Sequence, residues 1–229
     1  MKRLKLLLPL LGLPLLGRAQ TEDQTRQMTN VFDSGFSPVA RGGYEVQGSP
    51  FLLTAWAPAE LLLTGSTKPV AAPLKYDVVR QELRVRRSAG DSVTVPTAQV
   101  QEFTLTGPQP RRFVRVAGTP DGFAEVISPG PHLMLLKYWE KVVEKSAAGG
   151  SGYGSTSTVS AYADRAKYYL RGPNGKQMEV RPKRAGLQEA LAAYPAALQA
   201  LKARKGSLSS EAELRAAVTA LDALVTAAP

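Results

Sequence analysis

Apolar and polar residues alternate along the middle of the chain with a period of two. Leu83-Arg84-Val85-Arg86 places its aliphatic residues on one side and its arginines on the other, and Gln101-Glu102-Phe103-Thr104-Leu105 repeats the pattern after Val100. Lys75-Tyr76-Asp77, Glu82 to Arg87, Ser92 to Val95, Phe103 to Leu105 and Phe113 to Val116 are short β-rich runs. Turn-formers such as Ala89-Gly90-Asp91 and Gly107-Pro108-Gln109-Pro110 separate them, which predicts an antiparallel meander with one wet face.

The same reading extends outward from this stretch. Phe51 to Thr54 and Glu60 to Thr64 read as strands between breakers, as does Gly122 to Ile127. His132 to Val143 fits helical spacing at Leu135, Tyr138, Trp139 and Val142, but its β-branched and aromatic content and its β surroundings favour a long strand. Ala147 to Ser160 is nearly all Ala, Gly, Ser and Thr and reads as a loop. Tyr162 to Leu170 and Gln177 to Val180 bracket Gly172-Pro173-Asn174-Gly175, a hairpin signature.

Past Pro182 the period changes to that of a helix. Leu187, Leu191 and Tyr194 mark one short helix, and Pro195 to Gly206 bounds a second. Ser210 and Glu213 form a capping box before a stripe of Leu214, Val218, Leu221 and Val225. A single stripe of this kind is expected to cover a face of the chain's own sheet. The predicted fold is α+β, an antiparallel meander or partly closed barrel or sandwich covered by C-terminal helices.

The N-terminus carries an address. Lys2, Arg3 and Lys5 precede an apolar run of 11 residues, Leu6 to Leu16, and Gly17-Arg18-Ala19 supplies small residues for cleavage before Gln20. That run is too short for a membrane span, which takes about 20 residues, and two prolines and a glycine break it as a helix. The expected organisation is a signal peptide at 1–19, a flexible lead-in at 20–43 and one β-rich domain at 44–229 with its helices in 183–229. Export to the periplasm, cell surface or medium follows, with no transmembrane segment in the mature chain.

Composition then narrows the chemistry. The chain has no cysteine, so thiol nucleophiles, thiolate metal sites and disulfides are excluded. Its net charge is +10, and removing Lys2, Arg3, Lys5 and Arg18 with no acidic residue leaves +6 for the mature form, an ordinary value for a domain of this size. His132 is the single histidine, which excludes paired-histidine zinc sites, and no serine sits in a nucleophile elbow. Gly149 to Ser155 is glycine-rich but has neither a P-loop ending nor dinucleotide-binding spacing. No cofactor, metal site or nucleic-acid motif is expected.

Three groups of residues are left as candidates. Arg84, Arg86 and Arg87, with Arg111, Arg112 and Arg115, form a basic sheet face if their strands are neighbours, and Arg84, Arg86, Arg112 and Arg115 are the candidate anion-binding residues. Glu82, Glu102 and Glu125 could neutralise that face as cross-strand pairs. Phe51, Leu53, Phe103 and Phe113 are the candidate lining of an apolar pocket, with ordinary core packing as the alternative. Asp77, Glu82, Glu102 and Glu125 are the carboxylates on or near strands, the raw material of a hydrolase acting on glycans or esters.

Taken together, the Lys75-Tyr76-Asp77 strand, the Phe103 and Phe113 strands, Gly122-Phe123 and the closing helices resemble a group of secreted proteins of Bacteroidetes bacteria, over roughly Gly48 to Ala223. The resemblance implies a β-rich fold with a helical end and no established activity or catalytic residue. The expected function is a non-catalytic binding or structural role at the cell envelope. Its partner would be an envelope lipid or other apolar ligand carried by the domain, an anionic glycan, or another envelope protein. The carboxylate-dependent hydrolase is the alternative.

Overall fold

The structure, a computed structural model, describes residues 46–87, 90–116, 122–147 and 158–225. The expected signal peptide, the lead-in and most of the expected glycine-rich loop lie outside the described residues.

Ten strands form one antiparallel sheet: β1 (Ala57–Leu63), β2 (Val70–Asp77), β3 (Glu82–Arg86), β4 (Ser92–Val95), β5 (Val100–Leu105), β6 (Arg111–Val114), β7 (Ala124–Pro129), β8 (Met134–Ala147), β9 (Thr158–Arg171) and β10 (Gln177–Glu179). The spatial order is β10-β9-β8-β7-β6-β5-β1-β2-β3-β4, an open meander with one irregularity, in that β5 returns to pair with β1. Helices α1 (Arg184–Ala190), α2 (Pro195–Ala203) and α3 (Glu211–Leu221) follow. The α+β meander expected from the alternation is the observed fold, and the sheet is not closed.

The link from β4 to β5 dictates the sheet's shape. Three strands separate the two, a lateral gap of about 19 Å if the sheet were flat. Only Pro96 to Gln99 joins them, and Thr97–Gln99 is a tight 3₁₀ turn. Five Cα steps reach at most about 17 Å when extended, and less with a 3₁₀ turn among them. The sheet therefore rolls. Its inward residues (Leu61, Leu74, Tyr76, Leu83, Val85, Val95, Phe103 and Phe113) are sealed from solvent in one core, joined by Phe123. Phe103 and Phe113, directly paired across β5 and β6, stack with centroids 4.6 Å apart, and Tyr76 meets both edge-on.

Tyr76 also carries polar work inside this core. Its hydroxyl hydrogen-bonds to the Gln81 side-chain oxygen and accepts the Phe123 N–H at 3.2 Å. Burial pushes this phenol up to about 12. Gln81, in the β2–β3 turn, has φ of 57°, a left-handed conformation held by its amide bonding Val78 O and Tyr76. Gly122 passes over it with φ of 114°, and a Cβ there would lie 1.7 Å from Gln81 Oε1.

A second core lies at the other end of the sheet. Leu133, Leu135 and Leu170 meet Leu187, Leu191, Leu201, Leu214, Val218 and Leu221, so the helical stripe covers its own sheet as expected. Asp222 fastens this layer by accepting the His132 and Leu133 N–H groups at 3.0 and 2.6 Å. The capping box is present: Ser210 Oγ accepts the Glu213 N–H, and Glu213 accepts the Ser210 N–H.

Expectation and structure differ at several elements. Phe51 to Thr54 is not a strand: Phe51 makes a single bridge to Asp77 and the chain then bends, because Ala57 onward occupies the same edge of β2. The strand expected to run to Val116 stops at Val114. The expected loop loses its ends to β8 and β9, which pair through Ala147 and Thr158.

Three stability predictions follow from these contacts. Ser210→Ala should lower the unfolding free energy by about 1 kcal/mol in urea titrations. Bonds from Ser207, Ser209 and Ser210 lower the Glu213 carboxyl from its ordinary 4.5 to about 2. Its contribution is therefore present above pH 4.5 and is lost as pH falls toward 2, and Glu213→Gln should flatten that part of the stability–pH curve. Gly122→Ala should cost on the order of 2 kcal/mol in the same titrations, since it meets both a steric clash and an unfavourable φ.

Candidate functional site

The outward side chains of β2, β3 and β4 form rows that the register defines. Lys75 lies opposite Arg84, and Arg84 opposite Thr94; Arg86 lies opposite Ser92. Like charges placed directly across a strand pair repel, so the Lys75–Arg84 pairing needs compensation. Two rings supply part of it. Phe51 is brought to this face by its bridge to Asp77, and Trp56 stands one residue before β1. Lys75 Nζ lies 5.0 Å from the Phe51 ring and 5.4 Å from the Trp56 ring. Arg84 stacks on Phe51 at 5.1 Å and Arg86 on Trp56 at 5.5 Å.

Three cations are thus held on two rings. Among the described residues none of the three makes an ion pair, although Glu82 lies two residues before Arg84. Asp77, the next carboxylate along, is fully buried and turned to the Val79 and Arg80 N–H groups. Arg84 Nε is buried without a hydrogen-bond partner, so this guanidinium is already partly stripped of water. A desolvated, pre-oriented guanidinium gains more from an arriving anion than a freely hydrated one. Pro58 and Pro73, directly opposed and exposed, extend the same face.

No family model, no curated protein and no solved structure matches this chain. The geometry alone must therefore argue its function.

The four candidate arginines divide into two kinds. Arg84 and Arg86 belong to the platform on β3. Arg112 is neutralised by Glu102 at 2.6 Å, the cross-strand pairing foreseen as the alternative, and Arg115 bonds Thr97 O at 3.0 Å. The four apolar candidates are not brought together either. Phe103 and Phe113 are stacked core residues, Leu53 is 39 % exposed, and Phe51 lies against the cations. Lys75 and Trp56, which complete the platform, were not singled out from sequence, because only the register puts them in one row with Arg84.

The four candidate carboxylates do not form one cluster: Asp77 and Glu82 are register partners across β2 and β3, while Glu102 and Glu125 lie on β5 and β7. Glu125 shares the inner face with Phe113, its partner across β6 and β7, whereas Glu102 is the partner of Val114 on the opposite face. The two cannot flank one scissile bond. Glu125 instead joins a polar seam between the two cores. Arg111 grips it with two bonds of 2.7 and 2.8 Å, and Trp139 Nε1 donates to it at 2.6 Å. Lys137 lies 3.8 Å from the Trp139 ring and pairs with Glu211 at 2.6 Å, where the Tyr168 hydroxyl also donates at 2.8 Å. Burial would raise the Glu211 carboxyl, but its bonds from Lys137 and Tyr168 outweigh that and hold it below its usual range. Burial and the same carboxylate push the Tyr168 phenol up. Every member of the seam is satisfied by another, as a structural joint requires.

Two hollows are lined by described residues. An open one of about 490 Å³ beside α1 is lined by Glu179 and Glu189 with Arg181 and Lys183, a balanced set of charges. One of about 60 Å³ lies between Tyr194, Leu170 and Met178, too small for an acyl chain.

The seam and the surface pair should respond differently to mutation. Arg111→Met should cost on the order of 2 kcal/mol and shift Trp139 emission, because it strips the nearly buried Glu125 of two bonds. Arg112→Met should stay within about 0.5 kcal/mol, since its pair with Glu102 is largely solvated.

Proposed function

We propose that the protein is exported to the cell envelope and binds an anionic ligand there, without chemistry, through the Lys75–Arg84–Arg86 platform. One observation carries this reading: three cations are pinned on two rings at an outward face, and none has a carboxylate partner. A merely solvated charge run would be loose and interspersed with acids, as Arg112 with Glu102 and Arg165 with Glu144 are elsewhere on the sheet. The signal-like N-terminus, Lys2 to Ala19, supports export, and the resemblance to secreted Bacteroidetes proteins points the same way. Among the described residues no helix is long and apolar enough to cross a membrane. The packed interior, with Phe103 and Phe113 stacked in it, favours a ligand on the surface over one carried inside.

Titration of the mature chain with inorganic polyphosphate and with an acidic polysaccharide tests the reading. Binding of at least one should weaken about tenfold or more at low salt when Arg84→Gln and Arg86→Gln are combined, and should weaken with ionic strength. Arg112→Gln with Arg115→Gln should leave it unchanged. Equal loss in both double variants would mean a diffuse charge effect and no platform. Mass spectrometry of the exported chain should find Gln20 at its N-terminus.

A further inference from the structure

The same face that holds the cations also offers an apolar floor and free hydroxyls, and a simple anion would use neither. Pro58 and Pro73 are directly opposed and exposed, and Pro58 stands two residues after the half-buried Trp56. Pro73 precedes Leu74, the partner of Val85, and so falls in the row of Arg86. On the other side of the arginines stand Thr94, opposite Arg84, and Ser92, opposite Arg86, on the edge strand β4. Among the described residues neither hydroxyl has a hydrogen-bond partner.

Each component has a distinct ligand chemistry. A guanidinium fork matches a carboxylate with two parallel bonds. Aromatic and prolyl rings pack against the C–H face of a sugar ring, burying apolar surface that a phosphate does not possess. Serine and threonine hydroxyls both donate and accept, as sugar hydroxyls demand. Together these groups form a strip: rings and prolines as floor, Lys75, Arg84 and Arg86 across the middle, hydroxyls at the rim. We infer that the platform binds a polysaccharide whose sugars carry carboxylates, with the ring faces on Trp56, Pro58 and Pro73 and the acid groups on Arg84 and Arg86. Lys75, between the two rings, adds the long-range attraction. This inference rests on the anion-binding reading above and narrows its ligand to one class.

The test compares three polymers on the mature chain: polygalacturonate, inorganic polyphosphate and uncharged dextran. The expected result is polygalacturonate bound at least tenfold more tightly than polyphosphate, with dextran unbound and Trp56 emission shifted on binding. Pro58→Ser with Pro73→Ser, at exposed positions outside the cation–ring contacts, should reduce polygalacturonate affinity about tenfold and change polyphosphate affinity less than threefold. Pro73→Ser alone provides the same comparison with a smaller loss if the double variant fails to fold, as thermal melts will show, whereas Trp56→Ala, which also releases Lys75 and Arg86, should weaken binding of both anionic polymers. Equal affinity for the two anionic polymers, insensitive to Pro58 and Pro73, would overturn the glycan inference and leave anion binding standing. Binding to neither would overturn both, and so would dextran bound as well as polygalacturonate.

Discussion

A link of four residues, Pro96 to Gln99, governs the shape of the whole β-rich half. Because it joins β4 to β5 across three intervening strands, it forbids a flat sheet. Rolling seals one set of alternating side chains into a core and leaves the other set on a convex surface. The link is itself held down, with Thr64 bonding Gln99 O and Ala98 O and Arg115 bonding Thr97 O. Inside the roll, Tyr76 is the one polar side chain among the packed rings, and its hydroxyl ties β2, the β2–β3 turn and the approach to β7 together. The outward residues of β2 and β3 are then displayed on a rigid, curved support. The proposed binding face, built from three flexible cations, needs that rigidity, and the rings beneath them supply the rest.

The sheet continues from the rolled half into the helix-covered half, and the seam around Glu125 and Glu211 lies where the two cores meet. An apolar junction would merge them. A fully satisfied polar one instead fixes how β6, β7 and β8 present themselves to α3, because each charged group has a single set of partners that satisfies it. The Lys75–Arg84–Arg86 face is built on the outward side of β2 and β3, so the joint can be rigid without constraining the proposed ligand.

Much of this architecture is legible in the alternation of the chain. Leu83 to Arg86 could hardly be anything but a half-buried strand, and Ser210 with Glu213 announces a helix start through local bonds alone. Legibility fails where partners are distant. Phe51 looks like a strand residue, but its neighbours on β2 are decided by where β1 begins. Arg84 and Arg112 look alike in sequence; one is stacked on an unpaired platform and the other is neutralised by Glu102, and only the register separates them. Trp56 and Lys75 are nineteen positions apart and come together because Ala57 pairs with Leu74. Glu125 carries no local mark of its burial, since its partners come from β6 and β8.

The bridge from Gln47 to Ala161 has a consequence for the order in which the molecule can be assembled. Gln47 bonds Ser160 and Tyr162 on the free edge of β9, so the earliest described residues are paired with almost the last strand. Between them in sequence lie β1 to β8. The pairings of the rolled half can form once β6 exists, whereas this bridge must wait until β9 has been synthesised and set beside β8. Gly48, with φ of 91°, and Pro50 then turn the chain away from β9 and deliver Phe51 to β2. The ring beneath Lys75 and Arg84 is therefore anchored from both sides only when the chain is nearly complete, so that an unfinished protein carries the cations without the finished platform.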